Sequence, residues 1–136
     1  MEDTLYKKKN MGNELSKEIF ENNVSKGFWE DRLGIPEKMK SSGLFSDQEI
    51  IAVQKAFRGQ QLMLIVSELS EALEADRKDL NDDKLTQYKG FVVELVDAEI
   101  RIKDYYGSNP NVDYDKILHE KLEYNKKRAY KHGKTY

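Results

Sequence analysis

Between residues 60 and 78 the apolar side chains Leu62, Ile65, Val66, Leu69, Ala72 and Leu73 fall on one side of a helix, at about 100° per residue. Phe91, Leu95, Ala98 and Ile102 repeat the pattern until Gly107, Asn109 and Pro110 stop it. The polar stretch between them, 79–83, is short, so two long helices are expected to turn back on one another as an antiparallel pair. With only two prolines and eight glycines in 136 residues, other long stretches are free to be helical, and no strand pattern or internal repeat competes. The spacing predicts an all-α chain with a single domain over 13–136, preceded by a flexible N-terminal segment, 1–12, that is polar and without periodicity.

The flanking segments read less evenly. Asn13 is a natural N-cap for a first helix carrying Leu15, Ile19, Phe20 and Val24, with Gly27 as its stop. Gly34, Pro36, Ser41, Ser42 and Gly43 break any regular pattern, which predicts a connecting loop. Ser46 caps the next helix, with Asp47 and Glu49 in its first turn and Ile50, Ile51, Val53 and Phe57 following; Gly59 is expected to kink or end it. A last helix over 113–129 would turn Tyr114, Ile117, Leu118 and Leu122 inward, with a basic tail behind it.

Several function classes fall away on composition. The absence of cysteine excludes a disulfide framework, a thiolate zinc site and cysteine nucleophilic catalysis. The longest apolar run, 62–66, is far short of the roughly 20 residues that span a bilayer, so a soluble, cytoplasmic protein with no membrane partner is expected. Lys and Arg number 23 against 25 Asp and Glu, so net charge gives no reason to expect nucleic acid as a partner.

The chemistry lies on the two central helices. Glu68 and Glu71 form Glu-x-x-Glu and Glu94 and Asp97 form Glu-x-x-Asp, and a spacing of three puts each pair on one helix face. Both faces border apolar residues, so both pairs should be half buried. Either motif alone commonly marks a solvated face. Brought together by antiparallel packing, however, two such charges at 4 Å repel by about 4 kcal/mol at an effective dielectric near 20. Relief comes from protonation or from a divalent cation, and an all-oxygen donor set suits magnesium, with manganese as a substitute. A di-iron bundle would need Glu-x-x-His, and neither His119 nor His132 has an acid three residues before it.

On the last helix Lys121, Asn125 and Arg128 are spaced i, i+4, i+7 along one stripe, with Lys131 beyond them. Such a stripe can simply complement the helix dipole or be solvated. Beside a carboxylate-held metal it becomes the pairing that polyphosphate chemistry uses, because cations stabilise the spreading negative charge.

Taken together, Leu62-Met63-Leu64-Ile65-Val66-Ser67-Glu68-Leu69-Ser70-Glu71-Ala72, then Glu94-Leu95-Val96-Asp97, then the basic stripe and Tyr130-Lys131-His132-Gly133, resemble the MazG-like all-α nucleoside triphosphate pyrophosphohydrolases. Lys26-Gly27-Phe28-Trp29 is also similar to an early segment of some members. The resemblance implies a four-helix core with antiparallel central helices, assembled as a homodimer or homotetramer. It further implies magnesium-dependent hydrolysis of a (d)NTP to (d)NMP and pyrophosphate. Carried over by position, Glu68, Glu71, Glu94 and Asp97 would bind magnesium and be catalytic, and Lys121, Asn125 and Arg128 would contact phosphates, with Lys131 alongside. Ser67 stands where many members carry a glutamate, which leaves the number of metal ions and the general base open.

Trp29 has two readings, a platform for the substrate base or an anchor of the core or subunit interface. The rival to an enzyme is a non-catalytic helical module that binds nucleotide or protein with the same fold.

Overall fold

The computed structural model describes residues 11–133, save the side chains of Met11 and His132. Five α-helices follow one another in it: α1 (Met11–Ser25), α2 (Glu30–Ser42), α3 (Asp47–Arg77), α4 (Gly90–Gly107) and α5 (Tyr114–Lys126), then a 3-10 turn at Tyr130–Gly133. Among the described residues no strand forms beyond one isolated antiparallel bridge, Asn81 with Lys89. The chain is all-α, as its periodicity predicts. Most of the expected N-terminal segment and the end of the tail lie outside the described residues, and α1 already begins at Met11.

Ser46 starts α3 with a full capping box: its hydroxyl accepts from the Glu49 N–H and the Glu49 carboxylate accepts from the Ser46 N–H. Strong helix formers then carry the helix straight through Gly59, so the expected break there is absent and two predicted helices are one. A glycine inside a helix costs only about 1 kcal/mol, less than the following turns return.

The expected loop at 34–43 is also helix. Glu30 and Asp31 favour the N-terminus of α2 through its dipole, and Gly43, at φ 67°, closes the C-terminus with its N–H on the Lys40 carbonyl. Pro36 removes one N–H from the middle of α2, but its ring is buried, and tertiary packing overrides the local preference.

Helix α4 packs against both α3 and α1, α2 lies on α3, and α5 meets the start of α1. Gly90 abuts Ala75 while Arg101 meets Glu68, so α3 and α4 run antiparallel. At the far end of α4, a Cβ on Gly107 would stand 2.1 Å from the Ser16 carbonyl oxygen; only glycine lets α1 approach this closely. Asn13 is not a cap but sits in the first turn of α1. Asp115 of α5 supplies the cap instead, accepting from the N–H groups of Gly12 and Asn13 at 3.0 and 3.1 Å.

The buried side chains are few. Trp29 is 5% exposed, with Phe20 edge-on at 5.0 Å, and Ala72 and Ala98 close the α3–α4 seam. Four of the six residues expected inward on α3 face outward in the single chain: Leu62, Val66, Leu69 and Leu73 are exposed, while Ala72 of that stripe is buried and Ile65 half-buried, and the neighbouring sector turns in with Glu68 buried and Leu64 and Ala75 half-buried. Ile117, Leu118 and Leu122 of α5 are likewise exposed, and only Tyr114 packs, stacked on Tyr106 at 3.9 Å. Among the described residues no helix is long and apolar enough to cross a membrane.

Candidate metal centre

Helix α3 contributes Glu68 and α4 contributes Glu94 and Asp97, and carboxylate oxygens of the three lie within 4.8 Å of one another. Glu68 is buried and the other two half-buried. The register that brings them together is the antiparallel seam, closed by the small residues Ala72, Ala75, Gly90 and Ala98.

The electrostatics follow from that proximity. The Glu94 carboxyl is pushed up to about 7, first by burial, then by its hydrogen bond with Glu68 and by the charges of Glu71, Glu68 and Asp97. Two carboxyl groups bonded to each other must share a proton. Asp97 is also raised, by burial and then by Glu68 and Asp82, against the pull of Arg101 and Lys84. Arg101 Nε donates to Glu68 Oε1 from the next turn of α4. Asp82 is fixed in the α3–α4 loop, where its carboxylate accepts from the Lys84 and Leu85 N–H groups.

The donor set fits a hard divalent cation: three carboxylates, all oxygen, from two rigid helices, with a shared proton as the alternative way to balance charge. Glu71, also expected as a ligand, is exposed and stays outside the 4.8 Å set, although its charge reaches Glu94. The Ser67 hydroxyl donates to the Leu64 carbonyl of its own helix at 2.7 Å.

Among the described residues no ion pair joins the expected phosphate contacts to these carboxylates. Lys121 and Asn125 are exposed on α5, Arg128 lies past the helix end at Lys126, and Lys121 and Arg128 flank the Tyr124 ring at 5.0 and 5.8 Å. Lys131, at φ 51° in the 3-10 turn, lies over Tyr130. The cations that act on the carboxylates are Arg101 and Lys84. The Trp29 indole is buried, donates to both oxygens of Asp104 at 3.0 and 3.1 Å, and carries Arg32 over its ring at 5.2 Å.

Sequence reasoning passed over Arg101, though the signal was present: Glu94, Asp97 and Arg101 stand at i, i+3 and i+7, one stripe of α4. Asp82 and Lys84 carried no such signal, because a loop's fold places them. Comparison of the chain with models of protein families, with curated proteins and with solved structures finds no match.

Proposed function

We propose that the chain is a magnesium-dependent nucleoside triphosphate pyrophosphohydrolase of the MazG-like all-α kind, hydrolysing a (d)NTP to (d)NMP and pyrophosphate. The observation that supports it is the convergence of Glu68, Glu94 and Asp97 across the α3–α4 seam. These three hold the cation, with Glu71 on the exposed rim beside Glu94. Magnesium, with manganese as a substitute, supplies charge neutralisation for phosphate oxygens and acidifies water. Glu94, near 7, gives up its proton as the cation is taken up, and Arg101 holds Glu68 in place. Lys121, Asn125, Arg128 and Lys131 enter this reading through the resemblance, as exposed polar groups for the phosphate chain.

The same reading makes the working form a homodimer or homotetramer. The outward stripe of Leu62, Val66, Leu69 and Leu73 is an apolar surface suited to a second copy.

The Glu68–Arg101 bond favours a second reading, a binding module without catalysis, because this pair and a shared proton can balance the cluster without metal. A panel of ribo- and deoxyribonucleoside triphosphates with magnesium, assayed for pyrophosphate, separates the two. Release from at least one substrate, abolished in Glu94→Gln, is expected; no release from any of them refutes the enzyme.

A further inference from the structure

Beyond Arg101 the α3–α4 seam opens into a cleft of about 280 Å³. On α3, Phe57, Arg58 and Gln61 line it; on α4, Tyr105; and α2 adds Arg32 above the Trp29 ring. Gln61 lies seven residues before Glu68 and Tyr105 four after Arg101, so the cleft continues the faces that carry the carboxylates, about 10 Å along α3 from Glu68.

Its charge is the reverse of theirs. In a chain with 25 acidic residues, none lines this cleft, while two arginines do. Among the described residues neither arginine has a carboxylate within 4.0 Å. The acid that faces Arg32 is Asp104, and Trp29 already engages both of its oxygens. Burial holds the Arg32 guanidinium below its ordinary pKa, with Arg101 adding to the effect. Guanidinium groups so placed, among amide and hydroxyl donors, present the fork geometry that phosphate oxygens accept.

We propose that this cleft is an oxyanion subsite for the phosphate groups of a pyrophosphate- or polyphosphate-bearing ligand, with Arg32 and Arg58 as its counter-charges. That the ligand is the substrate or product of the carboxylate site rests on the function proposed above; that the cleft binds phosphate does not. One extended phosphorylated molecule spans both.

The test is calorimetric titration of the whole protein with inorganic pyrophosphate, without divalent cation so that the carboxylate site plays no part. Arg58→Gln, at an exposed position without an ion pair, is expected to weaken binding about tenfold or more, and Arg58→Lys less. Arg32→Gln should act alike, with a thermal melt to confirm that the fold survives loss of the Trp29 contact. Lys17→Gln removes a remote exposed cation paired with Glu21 and should change nothing. Pyrophosphate that fails to bind, or that binds Arg58→Gln as tightly as the parent, overturns the subsite. So does an unphosphorylated nucleoside that displaces pyrophosphate from the parent and binds Arg58→Gln as tightly, since that would make the cleft a base pocket. Pyrophosphate binding lost in Arg58→Gln, in a protein that hydrolyses no triphosphate, would sustain the subsite and sink the hydrolase; triphosphate hydrolysis in a protein whose pyrophosphate binding Arg58→Gln leaves intact would do the opposite.

Discussion

Arg101 Nε bonds Glu68 Oε1 across the α3–α4 seam, with the carboxylate 10% exposed and the arginine side chain 41%. The pair ties the two helices together at the level where three carboxylates meet. Replacing Arg101 with leucine leaves Glu68 beside Glu94 and Asp97 with no cation in contact. Urea denaturation of Arg101→Leu without metal should show a loss of about 1–3 kcal/mol, below the value for a fully buried pair because the arginine is half in water. Magnesium should recover more stability in this variant than in the parent.

Glu94 sets a pH dependence. Its carboxyl is raised from 4.5 to about 7, so the folded protein holds a proton that the unfolded chain releases at lower pH. The metal-free protein is therefore most favoured below about 4.5 as far as this group is concerned, and loses that contribution as pH rises to 7. Metal binding runs the other way, since a cation displaces the proton: magnesium affinity should climb with pH and level off above about 7. Titration calorimetry in buffers of different ionisation enthalpy reads the released proton directly, and Glu94→Gln should flatten both curves.

Two glycines should respond to alanine with opposite signs. At Gly59 an added Cβ meets nothing within 4 Å, so Gly59→Ala should stabilise α3 by up to about 1 kcal/mol. At Gly107 the same methyl runs into the Ser16 carbonyl and Phe20 Cβ, so Gly107→Ala should force α1 off α4 and lower the melting temperature. Equal melts for the two variants would contradict the close crossing.

Trp29→Phe keeps the ring contact with Phe20 but removes the N–H that serves buried Asp104. A loss of about 1–3 kcal/mol is expected, as for a buried acceptor left short of its donor. A cycle with Asp104→Asn should show the two changes to be strongly coupled.

Sedimentation velocity should give a mass two or four times 15.9 kDa. Leu69→Asp, in the exposed stripe of α3, should shift the protein toward monomer.

Periodicity alone was enough to determine that the chain is helical, that α3 and α4 pair, and that Glu-x-x-Glu and Glu-x-x-Asp are each one-faced, because a 3.6-residue repeat is a local property. Local rules misread α2, where a glycine and a proline look like breaks, and Gly59, where a single weak residue sits inside a long, well-capped helix. Only the tertiary structure decided that Glu68, and not Leu69, turns toward α4, since which sector of a helix is buried depends on its neighbour. The same holds for the bond from Arg101, the burial of Trp29 against Asp104, and the arginine-lined cleft formed by α2, α3 and α4. Each joins residues distant in sequence, and no repeat within a single helix encodes a contact between two.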